Sequence, residues 1–533
     1  MLTSPAPDRI GANPAATIAR SRELTLPGAI AAVLAGLAFP TLVRLRMLDL
    51  PLERDEGEYA YAGQLMLQGV PPYELLYSMK FPGIYAAYAG VMGLFGETAV
   101  GVRTGLLVVT TITAVLVYVL AARLFGRTSG AVAAASYGLL AIAPEALGLW
   151  GHATHFVCLF VVAAAILLSR DVTALRLFGA GVLLGLAVLM KQPAISFAVM
   201  AALWVVTVSR QRARDLAALA AGGVAVACAA ALALAGAGVF GRFWFWTIRY
   251  SREYVTSHSV VDGLFWLAVN LARIVSFAPA LWILAAVGIA ALWRRGARRE
   301  RVFCLGFLAA GAIATTPGFY FRPHYFIVLF PAVALIAGAA LHFAPAHVRK
   351  GALAAAFLAL TTATAAPSLL LTSGEAVTKA FHTPNPFVEL PAVADYVRAR
   401  TGADDRIVVL GSEPQVYFYS GRRSATGYVY MYPLMEQHGF AAAMQDEMIR
   451  EIAAAAPKYL IFVATQPSWL ALPGSERRVL DWFARERAAG RWTLEGLVEI
   501  TDEGSRFLWG EAAAQHPPTT DNHILVLRAA SPP

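Results

Sequence analysis

Charge is scarce in this 533-residue sequence: Lys, Arg, Asp and Glu supply 14% of it, against about a quarter in soluble domains. With 58% hydrophobic residues and a mean hydropathy of +0.59, that shortage excludes an ordinary water-soluble chain and points to a polytopic membrane protein. Cysteine is scarcer still. Cys158, Cys228 and Cys304 all fall in apolar segments, which supports neither a disulfide framework nor a Cys-based zinc site. A basic domain is lacking as well. The net charge of +9 is dispersed as short arginine clusters between apolar runs, so nucleic acid is not an implied partner and the clusters read as topology signals. No internal repeat is evident, and the Ala-rich stretch 217–235 reads as helix filler.

Apolar runs predict about eleven spans, roughly 26–46, 102–123, 128–143, 155–169, 176–189, 194–208, 216–238, 275–293, 302–317, 325–342 and 351–370. Arg9, Arg20 and Arg22 precede the first span, which lacks a small-residue cleavage site; an uncleaved anchor with a cytoplasmic N-terminus is expected. The apolar stretch 82–96 would reach only about 21 Å as a helix, too short for a core of about 30 Å, and is expected along the interface. With it left out of the count, Arg123, Arg127, Arg170, Arg176, Arg210–Arg214, Arg294–Arg301 and Arg349–Lys350 all face the cytoplasm. The expected organisation is a cytoplasmic tail 1–25, a transmembrane domain 26–370 whose segment 47–101 is the first outer loop, and an extracytoplasmic domain 371–533. In that last part hydropathy falls. A helical run Glu389–Arg400, a strand Arg406–Leu410, a helix near 440–455, a strand Tyr459–Val463, a helix 475–488 and strands near 492–500 and 523–528 predict a small α/β domain.

Ionisable residues gather just behind the first span. Asp55, Glu56 and Glu58 precede Lys80 within one outer loop, and such groups are costly to desolvate beside lipid, so the island is the candidate active site. On charge alone, a solvated loop explains Asp55 and Glu56, and an interfacial anchor explains Lys80.

The run Arg54-Asp55-Glu56-Gly57-Glu58-Tyr59-Ala60, followed by Gly69, a proline-containing turn and Lys80-Phe81-Pro82-Gly83, resembles the first outer loop of GT-C glycosyltransferases. The nearest branch is the bacterial protein O-mannosyltransferase and aminoarabinose-transferase group. Gly185-Leu186-Ala187-Val188-Leu189-Met190-Lys191-Gln192-Pro193 is similar to that group's Gly-x-x-x-x-x-Lys-x-Pro signature. Arg322-Pro323-His324-Tyr325 before a late span agrees too, and the tail stretch Gly411-Ser412-Glu413-Pro414 looks like the attached outer domain.

The resemblance implies a GT-C fold and inverting sugar transfer from a polyprenyl-phosphate donor to a lipid, glycan or protein acceptor. The reaction would occur on the outer face of a bacterial cytoplasmic (inner) membrane. Matched by position, the catalytic aspartate falls on Asp55, its neighbouring acid on Glu56 and the donor-phosphate lysine on Lys80. A carboxylate can accept the acceptor's proton, and an ammonium can stabilise the leaving phosphate. Lys191, Arg322, His324, Arg249 and Arg252 are further donor-phosphate candidates. Lys191 reads equally as an anchor, and the aromatic run Phe240–Tyr254 as an interfacial belt or a sugar platform.

The sequence departs from the family where many members carry a second acid: here it reads Trp150-Gly151-His152-Ala153-Thr154-His155, with Glu145 upstream. Glu145, His152 and His155 form a secondary polar site, open between hydrogen-bonded interfacial groups and a divalent metal held with Asp55 or Glu56. No cofactor is otherwise implied. Competing classes are a lipid-linked sugar flippase and a non-catalytic assembly protein of envelope polysaccharide synthesis. The tail shows no nucleophile–base pair and no Gly-rich phosphate loop, so it is expected to tune acceptor choice without supplying chemistry.

Overall fold

The computed structural model describes residues 23–255, 259–345, 349–501 and 503–530; Arg9, Arg20 and Arg22 lie outside them. Five described segments are long and apolar enough to cross a bilayer: α1 (Leu26–Arg46), Ala99–Phe125, Arg212–Gly236, Val260–Phe277 and Pro323–His342. Shorter apolar helices, among them Ala153–Leu168 and Ala174–Met190, pack between them. Large apolar side chains such as Leu34, Leu232, Ile283 and Trp293 remain exposed on this bundle, the arrangement expected of helices facing lipid. At its centre, Phe330–His342 is enclosed by Arg127–Leu140, Pro279–Arg295 and Ala99–Phe125, and every residue from Phe330 to Leu341 is buried.

Val260–Phe277 falls in a stretch with no expected span. It packs against the short turns Pro144–Ala146, Pro317–Phe319 and Pro323–Leu329, and Asn270 donates to the Phe321 carbonyl at 2.9 Å. Its mean hydropathy over the whole helix is high enough for a span, but Asp262, Asn270 and Arg273 break the apolar run into short pieces.

The acid-rich island folds as α2 (Arg54–Leu67), started by a capping box in which Glu53 accepts from the Glu56 amide and Glu56 accepts from the Glu53 amide. A loop carrying Lys80 then leads to α3 (Pro82–Phe95), which packs on α2 and on α4 (Ala99–Phe125). At the end of α1, buried Arg44 donates to the carbonyls of Ala141 and Gly148 at 2.8 and 3.1 Å. This holds the loop that delivers His152 against the start of α2.

The C-terminal part is a six-stranded mixed sheet with helices. Its strands are β1 (Arg406–Leu410), β2 (Arg423–Ser424), β3 (Tyr459–Ala464), β4 (Trp492–Thr501), β5 (Gly504–Trp509) and β6 (His523–Ala529), in the order β2-β1-β3-β6-β4-β5. β1 pairs in parallel with β2 and β3; the remaining pairs are antiparallel. Four strands and the helices Leu390–Arg398, Ala441–Ala455 and Arg478–Ala488 match the sequence expectation, while β2 and β5 do not appear in it. β2 is two residues long, and β5 reads Gly-Ser-Arg-Phe-Leu-Trp, without alternation.

This unit is docked along the whole of α2. Arg54 forms a buried ion pair with Glu413 at 2.6 Å, the Leu52 amide donates to Tyr419 and the Ser424 amide to Tyr61, each at 2.8 Å, and Arg423 donates to Gln68 at 3.0 Å. Gly57 is where the backbones meet: a Cβ there would lie 2.8 Å from the Gln415 nitrogen, so a larger residue would force the two parts apart.

Candidate active site

One turn of α2 separates Asp55 from Glu58, so both carboxylates share a helix face. Lys80 reaches across to both, with Nζ 2.6 Å from Asp55 Oδ1 and 2.5 Å from Glu58 Oε2. Tyr85 donates to the other Glu58 oxygen at 2.6 Å. The ammonium lies 4.7 Å from the Tyr59 ring centroid and 5.1 Å from that of Tyr430. Its loop is fixed from two sides: Tyr73 donates to the Lys80 carbonyl at 2.7 Å and Gln192 to the Met79 carbonyl at 2.6 Å. Gln192 thereby ties the Lys191-Gln192-Pro193 motif to the acidic helix. With side chains 22% and 25% exposed, Asp55 and Lys80 remain reachable, whereas Glu58 at 1% does not.

The second Asp55 oxygen faces two imidazoles, His152 Nδ1 at 3.7 Å and His324 Nε2 at 3.8 Å. Burial alone would raise the Asp55 carboxyl, but the Lys80 ammonium and then the facing histidines outweigh it and hold the group well below the usual carboxylate range. Burial likewise opposes the Lys80 charge, yet Asp55 and Glu58 keep its pKa above the ordinary lysine value. Glu53 sits 3.7 Å from His152 Nδ1. Burial, with Asp55 and Glu56 adding to it against the pull of His152, raises it to about 7.

Lys191 stands 3.9 Å over the Tyr325 ring, with no ion-pair partner among the described residues. Burial, reinforced by Lys80 and Arg322 against the attraction of Asp55, lowers its pKa to about 7. Arg322 precedes His324 in the same turn and lies over Tyr320 at 5.2 Å.

Other sequence candidates lie elsewhere. Glu56 is fully buried and turned into the scaffold: Arg103 binds both its oxygens, and the Gly151 and Glu53 amides donate to it as well. Glu58, not Glu56, is the acid that shares Lys80 with Asp55; the three-residue spacing was the signal for it. His155 is buried in Ala153–Leu168, outside the cluster. Glu145 lies in the turn Pro144–Ala146 with one buried oxygen unbonded, and burial raises its pKa. Arg249 and Arg252 are exposed, and no hydrogen bond or ion pair joins them to the Asp55–Lys80 cluster among the described residues. The aromatic run is neither a belt nor an open platform throughout. Trp246 and Tyr250 are buried against the C-terminal unit, Trp246 edge-on to Tyr428 at 5.9 Å and Tyr250 donating to Glu436 at 2.5 Å.

Asp55, His152 and His324 offer one ligand atom each within 4.8 Å of one another, a donor set that suits zinc or another borderline metal. The two imidazoles, however, stack with centroids 4.1 Å apart and planes 8° from parallel. In-plane lone pairs of parallel rings run side by side and do not converge, so a single ion would require one ring to turn.

Sequence reasoning missed one residue outright. Tyr430 of the C-terminal unit donates to Asp55 Oδ1 at 3.1 Å, and no local motif marks it.

Residues 80–235 match the family model described as dolichyl-phosphate-mannose-protein mannosyltransferase. A comparison with curated proteins returns no match. Among solved structures, the chain is similar to ArnT from Cupriavidus metallidurans bound to undecaprenyl phosphate. The TM-score is 0.57 at 16% identity, covering 95% of this chain and 99% of that one. The apo state of the same protein matches with a TM-score of 0.55 at 17% identity over 94% and 98% of the two chains. At such identities the likeness is one of fold.

Proposed function

We propose that this chain, whose residues 80–235 match a protein-mannosyltransferase family model and whose fold is similar to that of ArnT, is a GT-C-type integral-membrane glycosyltransferase that transfers a sugar from a polyprenyl-phosphate donor to a nucleophilic acceptor at the outer membrane face. The observation that carries this reading is Asp55 and Lys80 joined at 2.6 Å, both partly open, beside a cation with no ion-pair partner among the described residues, Lys191. A base next to cations suits a reaction in which a neutral nucleophile loses a proton and a phosphate departs.

In the proposed step, the acceptor oxygen or nitrogen forms a bond to the anomeric carbon as the bond from that carbon to the phosphate oxygen breaks. The acceptor proton passes to Asp55, and polyprenyl phosphate leaves with its charge held by Lys80 and Lys191. A single displacement of this kind inverts the anomeric centre. Donor binding also readies the base. When the phosphate also engages the Lys80 ammonium, which keeps its bond to Asp55, the donor's negative charge offsets the cation that depresses the Asp55 pKa and the carboxylate becomes a better proton acceptor. Arg322 and His324 border the same space.

The proposed sidedness is a cytoplasmic tail 1–25, a membrane domain 26–370 and an outer unit 371–533, in a bacterial cytoplasmic membrane. Its support is that Val260–Phe277 packs on the turns 144–146 and 317–329, beside the Asp55 cluster. It is therefore read as an interfacial helix that leaves the span parity unchanged. The reading is tested by offering the purified protein, with a lipid and glycan extract as acceptor, a panel of polyprenyl-phosphate-linked sugars. Release of polyprenyl phosphate from at least one of them is expected. A flippase or an assembly protein would return every donor intact, and that result would overturn the transferase reading.

Lys191 gives the donor site a pH dependence. With its pKa lowered to about 7, it is charged below that value and neutral above it, while a phosphodiester stays anionic throughout. Donor affinity is therefore expected to fall as pH rises through about 7, by up to roughly tenfold per unit. Lys191→Arg, whose guanidinium stays charged, should flatten the profile even though Glu53 still titrates nearby. Titrations of donor into the protein from about pH 6 to about pH 9 check this; a slope that persists in Lys191→Arg would assign it to another group.

A further inference from the structure

A polar atom delivered from the C-terminal unit to Asp55 is at odds with an outer unit that only tunes acceptor choice. Tyr430 is separated from Asp55 by 375 positions in the chain, yet its hydroxyl donates to Oδ1 at 3.1 Å and its side chain is almost fully buried. The segment that carries it is well anchored. The Thr426 hydroxyl and the Gly427 amide donate to one Glu451 oxygen at 2.6 and 3.1 Å, Tyr428 donates to Glu447 at 2.7 Å, and the Met431 amide donates to Ser412 at 2.9 Å. The same segment grips the lysine loop. The Tyr77 amide donates to the Gly427 carbonyl at 2.7 Å, and the Tyr77 ring lies so close over Gly427 that a Cβ there would overlap it. Lys80, three residues beyond Tyr77, is thus placed partly by the C-terminal unit.

We propose that Tyr430 is a positioning residue of the active site: with Lys80 it pins one oxygen of Asp55 so that the other is presented to the acceptor, and the site is incomplete without the C-terminal unit. The inference rests on the transferase reading above. Its geometric basis is the division of labour between the two oxygens. Oδ1 takes both the ammonium at 2.6 Å and the phenol at 3.1 Å, whereas Oδ2 has, among the described residues, only the histidine nitrogens, at 3.7 and 3.8 Å. A carboxylate held at one oxygen by two donors from different directions cannot swing about its terminal torsion. Burial, then the Asp55 and Glu58 charges, push the Tyr430 pKa well above 10, so it stays a phenol and keeps donating. Its ring also flanks the Lys80 ammonium at 5.1 Å, as that of Tyr59 does at 4.7 Å.

The hydroxyl and the ring make separable predictions. Tyr430→Phe removes the hydrogen bond and keeps the ring, so kcat is expected to fall about tenfold to a hundredfold, the worth of a hydrogen bond to a charged group, with donor KM within about twofold of the parent. Tyr430→Ala should lower kcat and also raise donor KM, because Lys80 loses a flanking face. Thermal melting of the full chain should be nearly unchanged in Tyr430→Phe. Parent-like kcat in Tyr430→Phe, or a loss of kcat accompanied by an equal loss of folded protein, would overturn the inference while the parent's activity stands. Absence of turnover by the parent with every donor would instead overturn the reading on which it rests.

Discussion

Asp55→Asn is expected to lower sugar transfer by about 10²–10⁴-fold, the range ascribed to a positioned general base, while leaving the protein folded and donor binding largely in place. The substitution keeps side-chain volume and an oxygen for Tyr430 to bond, but it removes the proton acceptor and half of the charge shared by Lys80. Glu58, 2.5 Å from the same ammonium, still compensates that cation, so no lone buried charge is created. A carboxamide at this position cannot take the acceptor's proton at any pH, so the loss should not be recovered by raising it. Transfer at the parent rate by well-folded Asp55→Asn would remove Asp55 from the chemistry. It would leave His152, His324 and the buried acids to be tested in its place.

Much of the membrane part was legible because bilayer chemistry leaves few alternatives. Long apolar runs and arginine clusters have one economical arrangement, and most expected spans correspond to helices in the structure. The helix Val260–Phe277 escaped because Asp262, Asn270 and Arg273 break its apolar run into short pieces, although its length and mean hydropathy as a whole are those of a span. At the site, Asp55, Lys80, Lys191, His152 and His324 were named from the sequence and lie around one space. Arg249 and Arg252 were named on charge alone, and helix phase turns them to the surface. Glu56 was matched by position as the acid beside Asp55, and Glu58 was placed in the same island without a role of its own; adjacency in sequence is a poor guide on a helix, where positions 55 and 58 share a face and 56 points about 100° away. Tyr430 was invisible for a different reason. Its role depends on how the sheet unit docks, through Arg54–Glu413, Tyr61–Ser424 and Gly57 against Gln415, and such long-range contacts leave no periodic trace in the chain.

Helix phase sets a separate expectation for Glu56. If that carboxylate builds the site rather than working in it, Glu56→Ala should be lost at the level of folding. Arg103 would be left as an unpaired guanidinium at 3% exposure, and the Gly151 and Glu53 amides would lose their acceptor. Breaking a buried pair by deleting one partner costs about 3–5 kcal/mol, enough to lower the melting temperature sharply and to loosen the turn that carries His152. Removing both charges is a different perturbation. Glu56→Leu combined with Arg103→Met leaves no uncompensated ion, so it should melt well above Glu56→Ala, short of the parent because the carbonyls of Leu50 and Pro51 lose the Arg103 donor. Whatever folded fraction the double variant yields should still transfer sugar, since Asp55, Glu58 and Lys80 are untouched. Thermal melts in detergent, with transfer assays normalised to folded protein, separate the two roles. A Glu56→Ala protein that melts like the parent but transfers nothing would return Glu56 to the chemistry, and would mean that Arg103 finds another partner.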